Sequence, residues 1–405
     1  MESRMSLDLI TKAANFCIVP WVHLYYFTDG YVYPCPSLAG NLEMRLGKTS
    51  DSSESLWNSK TSKSLRKKML NNEFIDSCYN KCNGCLNSCK KYFGLDLLEE
   101  AKSCILSTKE DGSCDYNFIA WNLIESNLCN LKCQYCSFEY SNMWDENKTI
   151  HRGLPYEELL SLYEKNYDTV KEIWFASGEP ILQESTYYFL NKLLKDNKTN
   201  VRIRLITNLM KYQYKNRNIY DLLAQFKDVI VFGSWDLNGE RGEYIRTNSC
   251  SNTIKNTIKE INSKKIPFVL QSVMSIYNLY YYPKFHKELY DEGLVKKDNI
   301  RYYNLHGPFK YRYSILPVSI KNKIKDKLIE YKKWLGDNLD PFPNRECPLL
   351  VIDKIIDTLY TGKWGHWGFS EKENKNYYNL FLKENVMNVK NVKFNKLFEE
   401  LIKLK

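Results

Sequence analysis

The run Cys129-Asn-Leu-Lys-Cys133-Gln-Tyr-Cys136 limits what this chain can be more than any other feature. At the spacing CxxxCxxC, three thiolates can hold three irons of a 4Fe-4S cluster and leave the fourth iron without a protein ligand. An iron with an open position binds and activates a small molecule. Two plainer readings stand beside this one: ordinary cysteines, or three of four zinc ligands. Zinc usually takes its thiolates in CxxC pairs and wants a fourth Cys or His nearby. The surroundings of the run decide among the three.

The chain has 405 residues, enough for a barrel-sized domain and a smaller one. Aromatic residues make up 14%, mostly Tyr, which suits a globular protein and argues against disorder. No apolar stretch reaches the ~20 residues of a membrane span. The opening Met1-Glu-Ser-Arg-Met-Ser-Leu-Asp8 lacks the apolar core and cleavage site of a signal peptide. Thirteen cysteines therefore do not read as a secreted disulfide framework, and they cluster, six of them between Cys17 and Cys89. Clustered thiols without a secretion signal point to metal binding in a reducing cytoplasm. The net charge of +10 is spread along the chain without an Arg-rich arm. It reads as a solvated lysine surface and argues against a nucleic-acid partner.

Local patterns set the organisation. Val22, Leu24 and Tyr26 alternate with their neighbours, Asp29-Gly30 makes a turn, and Tyr31-Val-Tyr33 resumes, which predicts a β-hairpin with Cys17 and Cys35 beyond its two ends. A helix is expected from Ser55 to Leu70, with Leu56, Trp57, Leu65, Met69 and Leu70 apolar. A cysteine knuckle follows at Cys78, Cys82, Cys85 and Cys89. From about residue 116, strand-like runs at 118–124, 173–175, 201–206, 229–236, 268–273 and 300–304 alternate with helical ones, the pattern of parallel βα units. One helix opens at Pro155, and a Lys-rich one covers 315–336. Ser177, Gly178, Glu179, Asn208, Ser234 and Asp236 all fall at C-terminal strand ends, where parallel barrels place their ligand sites. Each also has a local reading: Asn208 can cap a helix, and Asp236 can satisfy a turn.

The stretch Ser126-Asn-Leu-Cys-Asn-Leu-Lys-Cys-Gln-Tyr-Cys136 resembles the signature of radical S-adenosylmethionine (SAM) enzymes. Phe175-Ala-Ser-Gly-Glu-Pro180 resembles the family's GGEP motif, with Ser177 in place of the first Gly. The resemblance implies that Cys129, Cys133 and Cys136 bind the SAM-binding 4Fe-4S cluster and that Tyr135 lies near the adenine of SAM. It implies that the backbone around Gly178 and the Glu179 side chain hold the SAM amino group. The family commonly ends its third strand with Thr-Asn, here Thr207-Asn208. Ser234 and Asp236 match positions that reach the ribose, and Arg246 one that contacts the carboxylate. The implied fold is α/β: a partial (β/α)6 TIM-type barrel with a small N-terminal hairpin-and-helix module and a C-terminal helical extension. The expected boundaries are 1–112, 113–315 and 316–405.

The N-terminal cysteines resemble the SPASM/twitch modules that carry an auxiliary 4Fe-4S cluster. Cys17, Gly30 and Cys35 match the hairpin pattern, and Cys82 and Cys85 supply the CxxC pair. These four cysteines are the expected ligands, with Cys78 or Cys89 able to replace one; a zinc knuckle at Cys78–Cys89 is the alternative. Cys104, Cys114, Cys250 and Cys347 are expected as small buried side chains, with a radical-quenching thiol among them as the other reading. The implied reaction is reductive cleavage of SAM, then hydrogen abstraction, with net oxidation of a small, sugar-like metabolite assisted by the auxiliary cluster. A peptide or protein maturase, an epimerase, and an electron carrier without turnover are the alternatives. No leader-binding segment is recognisable before Cys17 or after the barrel, so a small substrate is expected, with Tyr303 and His306 touching it. The expected reductant is a flavodoxin or ferredoxin, and no membrane partner is expected.

Overall fold

A computed structural model describes residues 13, 15–78, 97–305, 307–336, 339, 348–362, 370–385 and 392–402. Cys82, Cys85, Cys89, Cys347 and His306 lie outside the described residues. In chain order the strands are β1 (His23–Tyr26), β2 (Tyr31–Tyr33), β3 (Gly47–Lys48), β4 (Ala120–Leu123), β5 (Lys132–Cys133), β6 (Glu172–Phe175), β7 (Arg202–Thr207), β8 (Gln213–Tyr214), β9 (Arg217–Asn218), β10 (Val229–Ser234), β11 (Arg246–Thr247), β12 (Phe268–Met274) and β13 (Ile300–Asn304). The six core strands of the α/β partial barrel are β4, β6, β7, β10, β12 and β13, each followed by helix. All six fall within two residues of the runs read from alternation. Residues 1–129, 138–205 and 222–229 form one compact unit, and 130–137, 206–221 and 230–405 another.

In the first unit, β1 and β2 pair antiparallel with Tyr25 opposite Tyr33, as the hairpin pattern predicts. The other edge of β1 runs parallel to β4, with His23 opposite Ala120 and Leu24 opposite Trp121. The hairpin thus extends the same parallel sheet that continues through β6 and β7. Burial on both faces explains why β1 reads as nearly continuous apolar and aromatic sequence. Trp121 is fully buried, and its ring meets Tyr163 at 4.9 Å and Phe189 at 5.8 Å, which seats the helices Tyr156–Lys165 and Glu184–Lys195. The helix expected over 55–70 is two helices, Ser53–Trp57 and Lys60–Leu70. The break has a physical cause. Ser59 caps the second helix by accepting from Ser62 N at 3.3 Å, and the buried Arg66 binds the freed carbonyl of Trp57 at 2.8 Å. Arg66 also donates to Pro20 O at 2.9 Å, so one guanidinium ties the helix to the segment before the hairpin.

In the second unit, β10, β12 and β13 run parallel in register, Ser234 with Gln271 and Gln271 with Arg301. One face of this sheet is covered by helices. Ser272 Oγ donates to Tyr282 OH at 3.4 Å, Tyr282 meets Tyr302 at 5.5 Å, and Tyr302 OH bonds Tyr331 OH at 2.9 Å on the helix Val318–Leu335. Beyond residue 348 the described residues form the helices Pro348–Thr361, Glu371–Asn385, Val392–Leu397 and Glu399–Ile402, all in this unit. Phe381, Phe394 and Phe398 surround the buried Tyr277 at 5.7, 6.2 and 5.7 Å. Among the described residues no helix is long and apolar enough to cross a membrane.

Candidate active site

Within the first unit, the loop leaving β4 is fixed by neutral side chains bonded to backbone. Ser126 Oγ donates to Gln183 Oε1 at 2.8 Å, and Gln183 Nε2 donates to Leu128 O at 3.1 Å. Asn127 accepts from His151 N at 2.8 Å and donates to Phe138 O at 2.6 Å. The N–H of Cys129 donates to Asn142 Oδ1 at 2.9 Å. Ser177, which replaces the family's first Gly, is buried and donates its hydroxyl to Ser126 O, so the extra side chain joins the end of β6 to the loop after β4. Gly178 has φ +42, and a Cβ there would lie 2.3 Å from Leu128 O, so only glycine fits without movement. Glu179 N donates to the same carbonyl at 2.8 Å, and the Glu179 side chain is fully buried. Leu128 O is therefore the point where the cysteine loop, Gln183 and the SGEP turn meet.

The second unit holds the charged part. A two-residue antiparallel pair, β5 with β11, sets Cys133 opposite Arg246 and Lys132 opposite Thr247. Arg246 Nε lies 2.6 Å from Asp236 Oδ2, and both side chains are buried. Its Nη1 lies 3.8 Å from Cys133 Sγ. Tyr135 OH donates to the same carboxylate. The other oxygen of Asp236 accepts from Val273 N at 2.9 Å, which anchors it to β12. Asn208 Nδ2 donates to Asn130 Oδ1 at 2.8 Å, linking the end of β7 to the cysteine loop. Burial pushes the Cys133 thiol up to about 12, and Arg246 opposes that rise. Burial also pushes the Tyr135 phenol up. Burial opposes the charge on Arg246, but Asp236, Tyr135 and Cys133 together hold its pKa well above the ordinary guanidinium value.

The charged cluster of the second unit suits a thiolate beside a charged ligand. A buried thiol becomes a thiolate only beside compensating positive charge, and the cluster iron and Arg246 both supply it. The close approach at Gly178 leaves the SGEP backbone unobstructed by side chain. Among the described residues no three or more His, Cys, Asp or Glu side chains, those of Cys129, Cys133 and Cys136 included, are gathered closely enough to hold a metal ion. Cys129 belongs to the first unit and Cys133 and Cys136 to the second, so the triad is defined by the eight-residue loop that carries it.

The other cysteines divide. Cys17 and Cys35 are buried on either side of the hairpin, and Cys78 is half-buried. Cys104 and Cys114 are buried as expected, with their sulfurs 3.3 Å apart. Cys250 departs from expectation: it is only partly buried, at the start of the helix Ser251–Ser263, and backbone and side-chain donation from Thr253 lowers its pKa. Asn142 and Gln183 went unread in the sequence, where isolated polar residues in loops carry no spacing signal, and Ser126 and Asn127 were read only as part of the cysteine motif. The partnership of Asp236 with Arg246 lay ten residues apart and carried none either.

Residues 123–284 match the radical SAM superfamily, and residues 17–86 match the SPASM iron-sulfur cluster-binding domain. A radical SAM domain over 123–284 and a SPASM module over 17–86 imply 4Fe-4S clusters and SAM as cofactors. No curated protein matches it. Among solved structures it is similar to native anSMEcpe with bound AdoMet and Cp18Cys peptide, at 18% identity and a TM-score of 0.41, covering 54% of this chain and 62% of that one. It is also similar to Streptococcus suis SuiB bound to precursor peptide SuiA, at 16% identity and 0.43, covering 69% and 59%. The chain thus spans about three fifths of the length of these structures.

Proposed function

We propose that this chain is a radical SAM oxidoreductase. When bound, the clusters and SAM would supply the one-electron chemistry needed to take hydrogen from a C–H bond, with the auxiliary cluster as an acceptor for the electron that a net oxidation releases. The chain's own residues bind, orient and exclude water. Cys129, Cys133 and Cys136 hold the SAM-binding cluster; Cys17, Cys35, Cys82 and Cys85 hold the auxiliary one. Arg246 offsets the charge of the Cys133 thiolate and faces the SAM carboxylate, held in place by Asp236. Tyr135 is pinned by the same carboxylate and presents its ring to the adenine. Glu179 and the backbone around Gly178 take the amino group, with Asn208 and Ser234 lining the remainder. The module boundaries proposed are 1–112, 113–315 and 316–405. The setting is a reducing cytoplasm with a flavodoxin- or ferredoxin-type donor.

The observation that carries this reading is the buried Arg246–Asp236–Tyr135 group set against Cys133. A buried ion pair of this kind is poor value for stability alone, because desolvation offsets most of its attraction. It makes sense beside a thiolate and a charged ligand. The test is anaerobic reconstitution, then dithionite and SAM. We expect 5′-deoxyadenosine from the wild-type chain and none from the Cys129→Ala, Cys133→Ala, Cys136→Ala triple variant. No 5′-deoxyadenosine from the wild type under any reductant would favour the electron-carrier alternative.

A further inference from the structure

Arg66, on the helix Lys60–Leu70, is only 1% exposed, and among the described residues no carboxylate pairs with it. Its hydrogen bonds go to neutral acceptors: Pro20 O at 2.9 Å, Trp57 O at 2.8 Å, Asn58 Oδ1 at 3.1 Å and Gly112 O at 3.4 Å. Buried charges are ordinarily paired, because dipoles alone do not replace the water a guanidinium loses. Burial opposes the charge here, and the groups that offset it are the sulfurs of Cys114 and Cys104.

Those two cysteines are held as a pair. Cys104 lies on the helix Leu98–Leu106, and Cys114 lies in the segment between that helix and β4. Asn58 fixes the Cys114 backbone twice: its Oδ1 accepts from Cys114 N at 3.2 Å, and its Nδ2 donates to Cys114 O at 3.0 Å. The Cys104 S–H is directed at Cys114 Sγ, 3.3 Å away, and at Asp115 O, 3.1 Å away. Cys114 is therefore the acceptor of the two thiols. Donation from Cys104, with Arg66 and Trp57 behind it, holds the Cys114 thiol below the ordinary value against the pull of burial. Sharing its proton with Cys114 holds the Cys104 thiol above it. The ionisable groups facing Cys114 are Cys104, Arg66 and Asp115.

We propose that Cys104 and Cys114 are a peroxide-reactive dithiol, with Cys114 the attacking thiolate and Cys104 the resolving thiol. Cys114 Sγ attacks one oxygen of hydrogen peroxide, and the O–O bond breaks. The other oxygen leaves as hydroxide and takes up the proton that Cys114 had released, giving water and a Cys114 sulfenic acid. The Cys104 sulfur then attacks the Cys114 sulfur. An S–S bond forms, the S–O bond breaks, and the oxygen leaves as a second water with the Cys104 proton. Two thiols are oxidised by two electrons, and one peroxide is reduced to two waters. Cys114 sits between the partly exposed Ser113 and the exposed Asp115, one residue below solvent, which suits an oxidant of this size. The disulfide is neutral, so oxidation takes away the countercharge of Arg66. The pair uses none of the cysteines assigned to clusters and does not depend on that reading.

The experiment uses the full chain, reconstituted anaerobically and then treated with hydrogen peroxide in small excess, alkylated and digested with trypsin. Trypsin cuts after Lys109, between the two cysteines, so the disulfide joins two peptides. We expect the joined peptides in the wild type and their loss on treatment with dithiothreitol. Cys104→Ser should leave a sulfenic acid on Cys114 that dimedone traps, and Cys114→Ser should leave no dimedone adduct on Cys104. The rate of joining should rise with pH through a midpoint below the ~8.5 of a free cysteine. Arg66→Met should raise that midpoint and slow joining at pH 7 about tenfold, the effect of one unit on the thiolate fraction, while Arg66→Lys should keep most of the wild-type rate. Near-ultraviolet circular dichroism checks that each variant is folded; should Arg66→Met unfold the chain, the Cys104→Ser adduct decides. Full oxidation of the half-buried Cys250 with no joined peptides overturns the proposal. So does dimedone on Cys104 in place of Cys114, or a pH midpoint that folded Arg66→Met and Arg66→Lys chains leave alike.

Discussion

The polar groups around Leu128 O in the first unit and around Asp236 in the second are handled in opposite ways. Around Leu128 O in the first, the groups that fix the turn are neutral or backbone: Gln183, the Glu179 N–H and Gly178. Around Asp236 in the second, a buried carboxylate, a guanidinium, a phenol and a thiol share one cluster. The first arrangement is governed by shape and should tolerate changes of charge better than changes of volume. The second is governed by charge and should fail when one partner is neutralised.

The largest effect should come from the charged cluster. Arg246→Gln strands Asp236 without its cation and should cost about 3–5 kcal/mol in urea unfolding of the metal-free chain. Asp236→Asn should cost a similar amount, while the double variant Arg246→Met, Asp236→Leu should recover most of it. If the single changes cost under about 1 kcal/mol, the contrast between the units is wrong.

Acid should separate the units next. Burial pushes His23 in the first unit and His286 in the second down to about 4. Each native imidazole refuses a proton that the unfolded chain accepts near 6.5. Stability therefore falls as pH drops from 6.5 towards 4, by about 3 kcal/mol per group. Glu172 in the first unit runs the other way: burial pushes it up to about 7 against the pull of Arg204. The native carboxyl takes a proton before the unfolded one, so stability rises as pH drops from 7 towards 4.5. Between pH 7 and 5, amide exchange should accelerate more in β12 and β13 than in β4 and β6. Glu172→Gln should remove the first unit's compensation and bring the two closer.

Smaller effects should follow from shape. Gly178→Ala meets Leu128 O and a positive φ, and should cost about 1–3 kcal/mol and weaken SAM binding while leaving iron content unchanged. Ser177→Ala removes one buried hydrogen bond and should cost about 1 kcal/mol. Ser177→Gly, which restores the family's residue, should leave SAM affinity within about twofold. Calorimetry with SAM and iron analysis measure all three.

Much of this was legible in the chain. The six barrel strands were, because short β-like runs between helical stretches give a local signal, with alternation clearest over 201–206. The triad, Gly178 and Glu179 were legible because they lie in short contiguous motifs. What stayed hidden is non-local or very short. The pairing of β1 with β4 joins residues nearly a hundred positions apart, His23 with Ala120. The β5–β11 pair that sets Arg246 against Cys133 has two residues per strand, too few for any period to show. The break at Asn58-Ser59 hid inside an apolar pattern that suits one helix, because the decisive partner, Arg66, lies inside that same pattern and carries no signal of its backbone contacts.

The central claim is an iron of the Cys129, Cys133, Cys136 cluster left open for SAM. The most direct measurement is electron paramagnetic resonance of the reduced, reconstituted chain with and without SAM, alongside iron analysis. The account predicts about eight irons per chain, a cluster signal that shifts when SAM is added, and loss of that shift with about half the iron in the triple alanine variant. A signal indifferent to SAM, or iron retained in full by the variant, would contradict it.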